Sequence, residues 1–172
     1  MATEGKNLSD PNREDLPASL QAIPNGANFR IGLVVSEWNY DITGALLKGA
    51  KQALLNAGVA ERNIIVKHVP GTYELALGAK LLFNAYDGNE KGAIQGIVAI
   101  GSVIQGETKH FDFVCDAAAQ GIKDVSLEAS KPVIFCVLTD NTHQQAVDRS
   151  GGIHGNKGDE CAIACLKMLD RF

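Results

Sequence analysis

The alternation of short apolar runs with longer segments of helical period constrains this chain more than any other feature. Three runs are apolar at almost every position, as strands buried on both faces require: FRIGLVVS (29–36), QGIVAIGSVI (95–104) and PVIFCVLT (132–139). The run NIIVKHV (63–69) is a weaker fourth. Since strands joined by crossovers of helical length pair in parallel, the pattern predicts a four-stranded parallel sheet.

Helices are predicted between and after the strands. Apolar side chains recur at i, i+3 and i+4 in four segments, 42–57, 72–86, 111–125 and 158–169. Gly58 offers a stop for the first helix, and the second is predicted to open at Thr72. Asn141 with Gln144 resembles a capping box for a further short helix to about Arg149. Helices on both faces make a three-layer α/β/α, doubly wound, flavodoxin-like domain.

Residues 1–27 differ from the rest of the chain, with three prolines (Pro11, Pro17 and Pro24) and few large apolar side chains. This composition predicts an N-terminal extended arm, which can still order against a partner subunit. Residues 28–172 are predicted to form a single domain, which is long enough to bury a core without disulfides or metal.

Charge and composition argue against several classes of function. A formal net charge of −4, with no cluster of Lys or Arg, argues against nucleic acid and acidic membranes as partners. The polar start of the chain has no apolar stretch of the kind found in signal peptides, so a cytoplasmic location is expected. The cysteines lack C-x-x-C spacing and are interpreted as small hydrophobes rather than a metal site: Cys115, Cys136, Cys161 and Cys165.

Ligands of such sheets bind beyond the carboxyl ends of the strands, and this rule selects four places. They are SEWN (36–39), PGTYE (70–74), QGETKH (105–110) and the end of the fourth strand near Thr139. At SEWN, the only tryptophan, Trp38, can stack on a heterocycle or merely cover the sheet end. At PGTYE, Thr72 and Glu74 can bond polar ligand edges or simply cap a helix.

QGETKH combines an anion-binding turn with a histidine. Gly106 permits the turn, and the backbone N–H groups of residues 107–109 can hold an anion at the start of the next helix. His110 follows, and imidazole suits proton transfer near neutral pH. A plain helix start with a structural histidine is the alternative. The remaining histidines have no evident partners and are interpreted as surface or packing residues: His68, His143 and His154.

The stretch DRSGGIHGNKGDECA (148–162) is rich in glycine and carries Arg149 and Lys157. Two cations around a flexible backbone suit a phosphate or a carboxylate, although a linker between helices needs no function. The stretch is not a Walker A loop, because that spacing and the preceding strand are missing.

Taken together, the motifs resemble the 6,7-dimethyl-8-ribityllumazine synthase family. They occur in the family's order and spacing between about Phe29 and Leu169: VVSEWN, VPGTYE, IGSVIQGETKHFDFV and DRSGGIHGNKGDECA. The resemblance implies condensation of 5-amino-6-(D-ribitylamino)uracil with 3,4-dihydroxy-2-butanone 4-phosphate, the penultimate step of riboflavin biosynthesis. It implies release of phosphate and water, and neither a metal nor an organic cofactor.

The resemblance also implies a role for each site residue. The proton-transfer histidine matches His110. The positions around the pyrimidine and ribityl groups match Trp38, Asn39, Thr72, Tyr73, Glu74, Ser102, Val103 and Ile104. The phosphate-binding positions match the backbone of Glu107 and Thr108 and the side chain of Arg149, with Lys157 close to the same site. Phe135 matches an aromatic residue that the neighbouring subunit lends to the site.

The family forms pentamers, some of which assemble into icosahedral shells of sixty subunits. The short connection from Arg149 to Gly158 lacks the insertion of several pentamer-only relatives, which favours the shell. Two departures from the family pattern stand out. Gln105 occupies a position where many relatives carry a basic residue, and RSGGIHGNKG replaces the commoner RAGTKAGNKG.

Three proteins of other functional classes are alternatives. A non-catalytic flavin- or lumazine-binding protein on the same scaffold would keep Trp38 but would not need His110 and Arg149 together with the anion turn. A flavodoxin-type electron carrier would place its phosphate loop directly after the first strand, where SEWNYD has no glycine. A doubly wound domain that binds another anionic metabolite is the third alternative.

Overall fold

A computed structural model describes residues 16–87 and 92–172 and contains the predicted parallel sheet. Its strands are β1 (Ile31–Ser36), β2 (Ile64–Val69), β3 (Gly96–Ile104) and β4 (Val133–Asp140). They pair in parallel in the order β2-β1-β3-β4. The central strands β1 and β3 are almost wholly buried, whereas β2 lies at an edge and is partly exposed, which explains its weaker apolar pattern.

Helices cover both faces of the sheet. After a single turn, α1 (Ala18–Gln21), they are α2 (Tyr40–Asn56), α3 (Leu75–Ala85), α4 (His110–Ala129), α5 (His143–Arg149) and α6 (Lys157–Arg171). One apolar cluster joins the sheet to α2, α5 and α6, and a second joins it to α3 and α4. The predicted three-layer α/β/α, flavodoxin-like fold is therefore confirmed.

Successive side chains of β1 supply both halves of the core. Leu33 and Val35 pack with α2 and α6, whereas Val34 packs with α3 and α4. This alternation requires an apolar residue at every position, hence the continuous run seen in the sequence. Cys136 and Cys165 are buried in the first cluster, and burial raises the pKa of the Cys165 thiol to about 12. Such a thiol packs as a small hydrophobe, as the sequence indicated.

Part of the predicted N-terminal arm is fastened to the domain. Residues 1–15 lie outside the described residues, as do residues 88–91 of the loop between α3 and β3. Beyond them, the Lys167 ammonium donates a hydrogen bond to the carbonyl of Leu20 (3.0 Å), and the backbone N–H of Gly26 donates to Ala57 (2.7 Å). The division into an arm and one domain stays a prediction.

The predicted capping box is wrong by one residue. Thr142, not Asn141, caps α5: its hydroxyl accepts from the backbone N–H of Gln145 (3.3 Å), whose side chain accepts from the backbone N–H of Thr142 (3.2 Å). Only a side chain three residues after the cap reaches back in this way, which makes Gln145 rather than Gln144 the partner.

The second predicted helix also starts later than expected. Residues Thr72–Glu74 form a 3₁₀ turn, and α3 begins only at Leu75, with no side-chain capping bond at its first residue. The Thr72 hydroxyl instead lies 3.5 Å from the carbonyl oxygen of Ser102 on β3. Thr72 therefore contacts the sheet rather than capping the helix.

The glycine-rich stretch after α5 is an ordered hairpin rather than a plain linker. Two short strands, β5 (Ser150–Gly152) and β6 (Gly155–Asn156), pair in antiparallel fashion, and Gly155 has a left-handed backbone (φ 77°). The Asn156 side chain accepts from the backbone N–H of Gly158 (2.8 Å) and donates to the carbonyl of Ala45 on α2 (3.0 Å). Asn156 thus caps α6 and fixes the hairpin to α2.

Replacing Gly158 by alanine is expected to lower the free energy of unfolding by about 1–3 kcal/mol. A Cβ at this position would overlap the carbonyl oxygen of Leu46 and lie 2.8 Å from its carbonyl carbon, so two helix backbones would have to separate. Urea denaturation measures the change. Gly106→Ala is the matched control, because a Cβ there meets nothing within 4 Å, and equal midpoints for the two variants would contradict the prediction.

Candidate active site

The strand-end cavity is a space of about 770 Å³ beyond the carboxyl ends of β1, β2 and β3. It brings together three of the four places selected from the sequence, because parallel strands end at the same edge of the sheet. Ten of the predicted site residues line it: Trp38, Asn39, Thr72, Tyr73, Glu74, Ser102, Val103, Ile104, Thr108 and His110. Its volume is that of a small-molecule site.

The turn after β1 holds its backbone rigidly and leaves the indole free. The backbone N–H of Trp38 donates to the carbonyl of Pro70 (3.1 Å), and the Ser36 hydroxyl donates to the carbonyl of Trp38 (3.3 Å). Asn39 has a left-handed backbone (φ 55°), and its side-chain amide donates to the carbonyl of Ser102 (3.1 Å). The Trp38 side chain is 71% exposed, so its ring is available to stack on a planar ligand.

Ser102 contributes an unsatisfied hydroxyl to the wall of this cavity. The residue is 1% exposed, and its Oγ has no hydrogen-bond partner among the described residues. Buried hydroxyls are normally paired, so the Ser102 hydroxyl is suited to bond a ligand in the cavity.

The loop QGETKH differs in one respect from the sequence prediction. Helix α4 begins at His110, so Glu107 and Thr108 lie in a bend before the helix rather than in its first turn. The backbone N–H of His110 donates to the Thr108 hydroxyl (3.4 Å). A Cβ on Gly106 would meet nothing within 4 Å, which leaves this wall of the cavity open. An anion bound here would contact the backbone N–H groups of the bend and those at the start of α4.

Three predicted residues line a different space. The edge cavity, of about 350 Å³, runs along β4 between the strand and helices α5 and α6, and its lining includes Phe135, Arg149 and Lys157. The edge cavity and the strand-end cavity have no lining residue in common. Within one chain, the predicted cationic phosphate ligands are therefore not brought together with His110.

Two acidic residues of the edge cavity were not singled out from the sequence. Glu160 is buried and holds the Lys157 ammonium at 2.7 Å, an i, i+3 pair that the sequence spacing could have suggested. Asp140 is 9% exposed, and its Oδ2 has no hydrogen-bond partner among the described residues. Burial raises the pKa of the Asp140 carboxyl, and the positive charge of Arg149 opposes that shift.

The structure corrects the interpretation of one other histidine, His143, and agrees with that of His68 as a packing residue. His143 has a partner: its Nε2 lies 2.6 Å from a carboxylate oxygen of Asp41, which joins α5 to α2. The ring of His68 packs against Tyr40, with 6.1 Å between ring centroids. Among the described histidines, His110 alone lines the strand-end cavity.

The described part of the chain has no group of three His, Cys, Asp or Glu side chains placed to hold a metal ion. None of its helices is long and apolar enough to cross a membrane.

The comparisons with known proteins agree with one another. A family profile described as 6,7-dimethyl-8-ribityllumazine synthase matches residues 28–172. A protein of that name from Flavobacterium johnsoniae is 51% identical over 168 residues, which cover 98% of this chain and 82% of the relative. Proteins of the same name from Christiangramia forsetii and Cytophaga hutchinsonii are 51% and 48% identical, and the matches cover 98% of this chain and 93% and 98% of the relatives. The chain therefore belongs to the 6,7-dimethyl-8-ribityllumazine synthase family.

Proposed function

We propose that the protein condenses 5-amino-6-(D-ribitylamino)uracil with 3,4-dihydroxy-2-butanone 4-phosphate to give 6,7-dimethyl-8-ribityllumazine, phosphate and water. The observation that carries this proposal is the strand-end cavity, in which an exposed indole, the unsatisfied Ser102 hydroxyl and His110 share one space of suitable size. Family membership supports the same reaction.

The pyrimidine and its ribityl chain are assigned to the inner part of this cavity. Trp38 stacks on the ring, and the Ser102 hydroxyl and the Glu74 carboxylate bond its polar edges. Asn39 acts mainly by holding the turn, because its amide already donates to the Ser102 carbonyl. Further contacts are assigned to Thr72, Tyr73, Val103 and Ile104.

The butanone phosphate is assigned to the open side, with its phosphate between the bend at Glu107 and Thr108 and the cations Arg149 and Lys157. Imine formation, phosphate elimination and ring closure transfer protons without a redox change. Orientation of the two substrates supplies most of the acceleration, and His110 carries protons between the reacting atoms.

A complete site then requires two subunits. The strand-end cavity comes from one subunit, while Phe135, Arg149 and Lys157 come from the edge cavity of its neighbour. Their separation within one chain supports this arrangement. We propose a pentamer as the smallest active form, and the short hairpin Ser150–Asn156 favours the sixty-subunit shell. Light scattering that detects only pentamers would overturn the shell. The cytoplasmic location stays a prediction.

The direct test is to mix the purified protein with both substrates and follow the absorbance and fluorescence of the lumazine product. Product formation above the uncatalysed rate is expected. Tight binding of the lumazine without any acceleration would instead favour a non-catalytic binding protein. No feature of the described residues favours that alternative.

Replacing His110 by alanine is expected to lower kcat about tenfold without abolishing it, less than the roughly hundredfold typical of a general acid–base group, because orientation supplies most of the acceleration. Steady-state kinetics with both substrates measure the change, and the KM values are expected to stay near those of the wild type. His68→Ala is the matched control, since His68 lies on β2 and lines neither cavity. An unchanged kcat for His110→Ala would remove His110 from the mechanism.

A further inference from the structure

Arg149 and Asp140 line the same cavity, and within the described residues neither the Arg149 guanidinium nor Asp140 Oδ2 has an ion-pair or hydrogen-bond partner. The edge cavity lies between them, with Asp140 at the end of β4 and Arg149 at the end of α5. No ion pair of the Arg149 guanidinium occurs within the described residues, and no partner of Asp140 Oδ2 is found there either. The wall of the cavity therefore contains a cation and a buried acid, and neither is neutralised by a contacting partner within the described residues.

The two side chains are close enough to interact electrostatically. The charge of Arg149 favours the ionised form of Asp140, whereas burial of the carboxyl raises its pKa and favours the neutral form. The fixed position of Asp140 follows from the sheet: it pairs with Ile104 in the β3–β4 register, and its carbonyl accepts from Gln105. The sheet therefore fixes the backbone from which the carboxyl extends into the wall of the cavity.

The other charged or titratable groups of this cavity have different roles. Lys157 and Glu160 of α6 pair with each other at 2.7 Å. The other titratable groups in the lining are two thiols. The sulfur of Cys136 on β4 lies 3.7 Å from the carbonyl oxygen of Lys157, and the sulfur of Cys161 on α6 lies 3.9 Å from the carbonyl oxygen of Phe135. Asp140 is the acidic group left to balance Arg149.

We propose that Asp140 is a positioning residue that competes with the phosphate of the substrate for Arg149, so that anion capture is linked to uptake of a proton by Asp140. When ionised, Asp140 attracts the guanidinium and repels a dianion. When protonated, it neither attracts the guanidinium nor repels the dianion. The inference rests on the proposed role of Arg149 in phosphate binding.

The sign of the pH dependence follows from this competition. Anion binding is tight where Asp140 is protonated and weakens as the pH rises through the pKa of the carboxyl, which burial places above its ordinary value. Sulfate is the suitable probe, because it stays a dianion over the whole range and its own protonation adds nothing. For a coupling of about 1 kcal/mol, the Kd changes about fivefold.

Calorimetric titration of the assembled protein with sulfate from pH 4.5 to 8 tests the proposal. The wild type is expected to lose affinity about fivefold with rising pH and to take up protons on binding, seen as a heat that depends on the buffer. Asp140→Asn should give a much flatter profile, and all variants are compared in a His110→Ala background, because an imidazole at the same proposed phosphate site would add its own pH dependence. Asp148→Asn is the matched control: it removes the same charge one residue from Arg149, but Asp148 pairs with Gln144 and does not line the cavity, so the wild-type profile should remain.

Two outcomes separate the two possible failures. Unchanged sulfate binding in Arg149→Ala would show that Arg149 does not hold the anion. This result would contradict both the proposed phosphate site and the inference about Asp140. Loss of binding in Arg149→Ala, together with a wild-type profile in Asp140→Asn, would overturn the inference alone. If Asp140→Asn does not assemble, Asp140→Ser, a smaller neutral residue, carries the same expectation.

Discussion

Replacing Arg149 by alanine is expected to raise the KM for 3,4-dihydroxy-2-butanone 4-phosphate about thirtyfold or more, while the KM for the pyrimidine substrate stays near its wild-type value. A charge-assisted hydrogen bond to phosphate is lost, and such truncations cost about 2 kcal/mol or more. Arg149 lacks an ion-pair partner among the described residues, so the lost interaction is with the substrate rather than within the protein. Steady-state kinetics with each substrate varied in turn measure the split.

Two further variants sharpen the interpretation of this result. Arg149→Lys is expected to recover part of the affinity, because it keeps the charge but loses the planar fork that binds two phosphate oxygens. Arg171→Ala is the matched control, because Arg171 ends α6 and lines neither cavity. A KM for the phosphate substrate that is unchanged in Arg149→Ala would place the phosphate elsewhere.

The sheet and its flanking helices could be predicted from the sequence because a strand that is buried on both faces is apolar at almost every position. In β1, Ile31, Leu33 and Val35 belong to one apolar cluster and Val34 to the other, so the run stays apolar on both faces. Helix boundaries were less predictable. The cap of α5 depends on which of two adjacent side-chain amides, that of Gln144 or that of Gln145, bonds the backbone before the helix. The start of α3 depends on a contact of Thr72 with Ser102, which lies thirty positions away in the sequence.

The strand-end cavity could also be predicted, because one topological rule places the ends of parallel strands at a common edge. The edge cavity could not. Its hairpin owes its shape to Asn156, whose side chain joins α2 to the start of α6, a contact across 111 residues of sequence. Asp140 was missed because its significance depends on burial beside Arg149, and charge in a sequence does not reveal burial.

The division of the site residues between two cavities has a consequence for mixed assemblies. Arg149→Ala damages the edge cavity, whereas Gly106→Phe is expected to fill the strand-end cavity, because a Cβ on Gly106 points into open space. Each variant alone is expected to have little activity at low concentrations of the butanone phosphate. If a site combines the strand-end cavity of one subunit with the edge cavity of the next, random co-assembly makes about a quarter of the sites intact.

Co-expression of the two variants with different affinity tags, followed by purification of assemblies that carry both tags, is therefore expected to restore about a quarter of the wild-type rate at low concentrations of the butanone phosphate. Arg149→Ala co-assembled with Lys157→Ala is the control, because both changes lie in the edge cavity and every site keeps a damaged edge half. No restoration is expected there. Equal, low activity in both mixtures would mean that each site is built from a single subunit. Every chain carries one damaging substitution, so a site built from one chain is never intact. Restoration confined to the first pair can arise only where neighbouring subunits complete each other's site.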